Sequence, residues 1–163
     1  MLFNREQVMA FLPHRDPFLF IDSVESIDCG EREMIEGEVP ISGKDLEGMW
    51  VNATFFTRPD LSIFAGHFPG NPILPGVVQV EMMGQAACFL VTKLFSNPSK
   101  INLQVALMGV SNAKFRKPIT PNMHLKIRAK CVKARGTIMS YDCQIYHQDE
   151  LMSEASILAT VKL

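Results

Sequence analysis

The stretch from Val77 to Phe95, VVQVEMMGQAACFLVTKLF, is apolar on nearly every face and contains a single acidic residue, Glu81. A helix with that pattern has no polar face to turn to water, so it must be buried all round. At the usual rise it runs for about 28 Å, enough to pass through the middle of a small domain. Along it, Glu81, Gln85, Cys88 and Thr92 fall at i, i+4, i+7 and i+11 and make one narrow polar seam. A buried carboxylate without a partner costs on the order of several kcal/mol, or shifts its pKa until it is neutral. Something must therefore compensate Glu81. Two accounts stand open: a structural carboxylate satisfied by Gln85 or by backbone groups, or a carboxylate facing a reactive pocket.

The approach to this helix is equally constrained. Gly66 to Gln85 reads GHFPGNPILPGVVQVEMMGQ. Pro69, Pro72 and Pro75 fix φ and remove donors, while Gly66, Gly70 and Gly76 permit turns that other residues resist. His67 is expected on a rigid, non-regular loop that leads into a helix starting near Pro75 or Gly76. An imidazole and a lone buried carboxylate are the minimum kit for general acid–base chemistry.

Around the helix, Phe18 to Ile27 reads as a strand, paired with a second at Met34 to Val39 across a turn containing Gly30. Met49 to Thr57 reads as a third. After the helix stops near Ser96-Asn97-Pro98, Leu103 to Val110, Met123 to Ala134, Thr137 to His147 and Ser153 to Leu163 read as strands. Arg135-Gly136 and Gln148-Asp149-Glu150 are the hairpin turns between the last three. Strands before a central helix and antiparallel strands after it make an α+β plan. A sheet curled around one hydrophobic helix satisfies both patterns, and no repeat or linker divides residues 1–163, so one domain is expected.

Apolar content of 47% with 20% charged residues is ordinary for a soluble globular protein. No signal peptide and no transmembrane span are expected, since Glu81, Gln85 and Lys93 interrupt the longest apolar stretch. Cys29, Cys88, Cys131 and Cys143 show neither CxxC pairing nor metal-ligand spacing with histidine, which fits reduced thiols in the cytoplasm. No metal and no cofactor are expected. Residues 1–90 hold five Lys/Arg against thirteen Asp/Glu, a balance of −8, and residues 91–163 hold eleven against four, a balance of +7. Lys114, Arg116, Lys117 and the run from Lys126 to Arg135 carry most of the positive charge. Either they meet an acidic partner, or Lys126, Arg128 and Lys130 are the solvated face of a strand. Nucleic acid is disfavoured because no aromatic residues interleave the basic ones.

Three segments carry a resemblance. HRDPFLFID at His14–Asp22, GHFPGNPILPGVVQVE at Gly66–Glu81 and AKFRKPITP at Ala113–Pro121 resemble, in order, the FabZ-type 3-hydroxyacyl-ACP dehydratases of bacterial fatty-acid synthesis. The resemblance implies a hot-dog fold, an antiparallel sheet wrapped around one long central helix. It also implies a homodimer with shared active sites, often assembled as a trimer of dimers, and acyl carrier protein as the bearer of the substrate. Carried over by motif, His67 and Glu81 are the catalytic pair, contributed by opposite subunits. The backbone N–H of Gly76 holds the thioester carbonyl, and Phe68, Pro75 and Gln85 adjoin the substrate. The basic second half acquires a candidate partner in the acidic carrier protein, with Lys114, Arg116 and Lys117 as the patch that steers it.

The activity so implied is loss of water from a 3-hydroxyacyl thioester to give a trans-2-enoyl thioester, a carbon–oxygen lyase reaction. A sister family that also isomerises the double bond carries aspartate where this chain has Glu81, which favours plain dehydration. The chain departs from the family in the Pro40–Asp60 segment with Trp50, in Gly84 where alanine is usual, and at Val110-Ser111-Asn112. These departures bear on chain length and on a paralogue's role in a specialised lipid or polyketide pathway. A hot-dog thioesterase and a non-catalytic acyl-binding protein are the rival readings. His14 is expected to line the tunnel or serve structure, and His124 and His147 to be ordinary strand histidines.

Overall fold

Alternation along the second half of the chain builds most of the sheet. In β4 (His124–Arg135), Leu125, Ile127, Ala129 and Cys131 are buried, while Lys126, Arg128 and Lys130 face outward. The same period of two places Tyr141, Cys143 and Ile145 of β5 (Ile138–His147) on the inner face, beside Ala155, Ile157 and Val161 of β6 (Glu150–Lys162). In the computed structural model, which describes residues 1–29, 43–95 and 103–162, β1 (Ser23–Asp28), β2 (Trp50–Phe56) and β3 (Gln104–Phe115) complete a six-stranded sheet. The order is β1-β2-β4-β5-β6-β3, every pairing antiparallel. Two-residue turns join β4 to β5 and β5 to β6. Gly136 takes a left-handed φ of 58° in the first, which glycine adopts without a Cβ penalty.

The sheet curls around α3 (Gly76–Cys88), whose Val78, Met82, Met83, Ala86 and Ala87 are buried against it. By length and composition the helical path Gly76–Leu94 is apolar enough to cross a membrane, yet 67% of that window is buried inside the protein. Met82 and Met83 are fully buried and belong to the core. This is the expected α+β plan with its hot-dog wrapping, reached with several corrections. The α-helix ends at Cys88 and the chain tightens into a 3₁₀ turn over Phe89–Leu94, not one α-helix to Phe95. There the Thr92 hydroxyl donates to the Phe89 carbonyl at 2.6 Å, a local bond that competes with α geometry.

The strand read over Phe18 to Ile27 begins only at Ser23. Asp22 N–H still reaches the Thr54 carbonyl of β2 at 2.8 Å, but further upstream the backbone is bonded to a side chain: Phe20 N–H donates to Gln85 Oε1 at 2.9 Å and the Phe18 carbonyl accepts from Gln85 Nε2 at 2.7 Å. Met34 to Val39 lies outside the described residues, and the neighbour of β1 is β2. β3 continues past Val110 to Phe115, with a register slip around Asn112, whose φ is 52°. β6 starts at Glu150, three residues before the predicted strand, because His147 pairs with Glu150 across the tight turn. Two helices were not anticipated. α1 (Arg5–Phe11) starts on a capping box in which Asn4 and Gln7 satisfy each other's backbone N–H. α2 (Ser62–Gly66) is a single short turn that delivers the chain to His67.

Asp22 ties these parts together. Its Oδ1 accepts from Arg5 at 2.7 Å and from Arg58 at 3.2 Å, and its Oδ2 accepts from the Phe56 N–H at 2.7 Å. Replacing it strands two guanidinium donors and a backbone N–H at once. Asp22→Ala should lower unfolding free energy by about 2 kcal/mol in urea titrations, and a change within error would mean that water replaces these bonds without loss.

Candidate active site

His67 caps α2 and opens a loop braced on itself. Its Nδ1–H donates to the Ile73 carbonyl at 2.8 Å, and the Ile73 N–H returns a bond to the His67 carbonyl at 2.8 Å. Phe68 and Asn71 exchange both backbone bonds across the intervening Pro69-Gly70, at 3.0 and 2.9 Å. Leu74 N–H then bonds the Ile119 carbonyl at 2.7 Å, so the buried Ile119 of the AKFRKPITP segment anchors the end of the loop. With Nδ1 committed as donor, the neutral form of the ring carries its lone pair on Nε2, the tautomer a base requires. Phe68, half exposed, stacks on the imidazole at 4.0 Å.

Pro75 caps α3, its carbonyl accepting from Val78 N–H at 3.1 Å and Gln79 N–H at 3.2 Å. Gly76 is the first helical residue, so its N–H has no acceptor within the helix. It also sits hard against Phe115. A Cβ there would lie 2.8 Å from the ring, closer than side chains pack. Glycine thus lets the Phe115 ring lie over the helix entry.

Glu81 lies little more than a turn further along and is not alone. Gln85 Nε2 donates to its Oε1 at 2.9 Å, and His14 Nε2 lies 3.1 Å from the same oxygen. The His14 hydrogen bond, opposed by burial and reinforced by Gln85, holds the Glu81 carboxyl below the usual carboxylate range. Both accounts of Glu81 therefore hold in part: Gln85 satisfies it, and it also faces a cavity. That cavity, about 160 Å³, is lined by His14, Glu81, Gly84, Gln85, Tyr141 and Ile157 among others. A separate cavity of about 290 Å³ is lined by His67, Gly76, Gln79, Phe115, Arg116 and Lys117 among others. Within this chain, imidazole and carboxylate open into different spaces.

Sequence reasoning missed His14 as a partner of Glu81. The polar seam on α3 announced that Glu81 needed compensation, but nothing in the residue pattern says which loop supplies it. His124 and His147 sit on the strands, His124 stacked on Phe56 at 4.5 Å. The basic patch is partly neutralised: Glu154 pairs with Arg116 at 2.6 Å and Lys114 at 3.8 Å, and Glu150 pairs with Lys117. Along β4, Arg128 lies over the Trp50 ring at 4.4 Å and Lys126 is solvated, which makes that run a strand face. Trp50 of the long Pro40–Asp60 segment is thereby held on the outer face of the sheet, and residues 40–42 lie outside the described residues. The four cysteines are free, and burial pushes the Cys88 thiol up to about 12.

A six-stranded antiparallel sheet around one long helix is the hot-dog architecture. Solved structures share it: the dehydratase heterocomplex ApeI:P from Xenorhabdus doucetiae, with a TM-score of 0.69 at 15% identity over 96% of this chain and 91% of that one, and a thioesterase superfamily member from Thermus thermophilus, with a TM-score of 0.58 at 16% identity over 76% and 85%. At such identity they show the fold alone. A family model described as ApeI-like, ApeI dehydratase, matches residues 44–155. Curated relatives named 3-hydroxyacyl-[acyl-carrier-protein] dehydratase FabZ come from Wolbachia of Brugia malayi, 35% identical over 99% of both chains, and from Anaplasma phagocytophilum, 36% identical over 98% of this chain and 97% of that one. The chain belongs to the FabZ family of 3-hydroxyacyl-ACP dehydratases.

Because Glu81 is held below its ordinary value, it adds stability above the unfolded carboxylate pKa near pH 4, and that contribution is lost as pH falls through the folded value. The stability gap between the native protein and Glu81→Gln should be constant from pH 7 to about 5 and shrink in more acid solution. A gap that widens on acidification would contradict the ionised, hydrogen-bonded carboxylate.

Proposed function

We propose that this protein dehydrates (3R)-3-hydroxyacyl-ACP to trans-2-enoyl-ACP in fatty-acid elongation, with residues 1–163 acting as one dehydratase domain in the cytoplasm. Free cysteines accord with that compartment. The observation that carries the chemistry is the His67–Ile73 bond, which orients the ring and leaves Nε2 basic. Nε2 takes the proton from C2, the C–H electron pair becomes the C2–C3 double bond, and the C3–O bond breaks. The Gly76 N–H, at the positive end of α3, holds the thioester oxygen as charge develops on it. Glu81, kept ionised, accepts a hydrogen bond from the C3 hydroxyl directly or through a water and aligns it for departure. The proton held by His67 completes the departing water.

This scheme needs His67 and Glu81 in one site, and two copies supply it. β3 ends the sheet, and among the described residues no strand pairs with its outer edge. Its Leu107, Met108 and Val110 are exposed, and so, elsewhere on the surface, are Phe68 and Val77. A long apolar edge of this kind favours pairing with another strand. We infer a homodimer in which each site takes His67 from one subunit and Glu81 from the other, with trimers of dimers as the higher assembly. Phe68, Pro75 and Gln85 would adjoin the substrate: Phe68 against the imidazole, Pro75 at the helix entry, Gln85 as the second holder of Glu81.

Conversion of 3-hydroxyacyl-ACP followed by mass spectrometry tests the reading. His67→Ala and Glu81→Gln should each lose 10²- to 10⁴-fold or more in turnover while remaining oligomeric. Mixed and refolded together, the two inactive variants should recover about a quarter of native activity, because half the dimers then hold one intact site. Native turnover in either variant would refute the assignment, and no recovery on mixing would refute the shared site.

Arg116 and Lys117 line the cavity that holds His67 and Gly76, which supports a docking role for Lys114, Arg116 and Lys117 toward an acidic carrier protein. Replacing all three by alanine should raise KM for carrier-bound substrate at low salt by about three- to tenfold and leave a small soluble thioester unaffected. An unchanged KM would discard the patch.

A further inference from the structure

His14 takes no part in the steps above, yet its side chain is committed to the carboxylate. Its Nε2 lies 3.1 Å from Glu81 Oε1, and its Nδ1 is buried with no hydrogen-bond partner among the described residues. The ring therefore makes one polar contact and forgoes the other, although an unmade buried hydrogen bond is unfavourable. A side chain that merely filled the wall would do better without nitrogen atoms. The turn that carries it is firm: Pro13 and Pro17 flank it, and Arg15 Nη1 donates to the Leu12 carbonyl at 2.9 Å and the His14 carbonyl at 2.6 Å.

Two donors thus converge on one oxygen of Glu81, the imidazole from this turn and the amide of Gln85 at 2.9 Å from the helix. Among the described residues nothing donates to Oε2. A carboxylate gripped twice at one oxygen has little freedom to turn, and Glu81 lines the cavity it shares with His14, Gly84 and Gln85. Nε2–H is a donor in the imidazolium and in the neutral tautomer protonated there, so the grip does not require the ring to be charged.

We propose that His14 is a positioning residue of the elimination: it acts through Glu81, fixing Oε1 so that Oε2 meets the C3 hydroxyl. This rests on the role given to Glu81 above. Orientation errors of about 1 Å cost up to about 10²-fold, and they fall on kcat when the interaction matters only in the transition state.

Steady-state kinetics on carrier-bound 3-hydroxyacyl substrate would compare His14→Phe, which keeps a ring and loses the donor, with His14→Gln, which keeps a donor and loses the ring. Expected is a kcat about 10- to 100-fold below native for His14→Phe with KM within about threefold. His14→Gln should be distinctly more active, and added imidazole should restore part of the turnover of His14→Ala. The opposite order, with Phe near native and Gln impaired, would overturn the proposal in favour of a wall-filling ring. So would native kcat in both. Glu81→Gln serves as the separating control: if it retains native turnover, the role of Glu81 falls first. If it is inactive while His14→Phe is native, only the proposal for His14 falls.

Discussion

The amide of Gln85 joins what would otherwise be three independent parts. It is 1% exposed on the central helix, accepts from Phe20 N–H, and donates to both the Phe18 carbonyl and Glu81. A buried amide satisfied on both ends has little freedom, and networks of this kind gain from a low local dielectric only when complete. Through it, the segment ahead of β1 is docked onto α3 without a sheet ladder. That docking brings His14 beside the carboxylate. The position of the carboxylate, the path of the chain before β1 and the wall of the adjoining cavity all follow from this one side chain.

The apolar helix sets the outer limits within which that network works. Enclosing α3 requires a sheet long enough to curl, and the antiparallel run β4-β5-β6 supplies it with largely apolar inner faces. The same enclosure leaves Glu81 as the charged group on α3, in a setting where hydrogen bonds outweigh burial and keep it ionised. Around His67 the solution differs. Backbone bonds through Ile73 and Leu74 hold the loop, and the anchoring carbonyl of Ile119 comes from the distant AKFRKPITP segment. The three segments that carry the family resemblance are thus three physical supports: one for the carboxylate, one for the imidazole and one for the loop that bears it.

Charge distribution shows why composition is a poor guide to partners. The positive second half of the chain reads as one basic block, but the fold divides it. Lys126, Arg128 and Lys130 go to the outer face of β4, where Arg128 lies over Trp50. Arg116 and Lys117 go to the mouth beside His67, where Glu150 and Glu154 from β6 take up part of their charge. Alternation along β4 foretold the first group. The second depends on which strand lies next to β3, and that strand is β6.

Period and punctuation alone revealed the buried helix, its single carboxylate, the Pro/Gly-locked histidine and the strands that follow, because these are local properties of side-chain spacing and backbone freedom. They did not reveal α2 or the late start of β1, since a five-residue helix has almost no period and a segment bonded to side chains looks extended in sequence. The Asn4 and Gln7 pair that caps α1 carries meaning only once a helix is in place behind it. That His14 joins Gln85 on Glu81, and that His67 and Glu81 open into different cavities, were decided by the tertiary structure. Both depend on contacts between residues far apart in the chain, Phe20 with Gln85, His14 with Glu81, Leu74 with Ile119, and such contacts are set by the closing of the sheet around the helix.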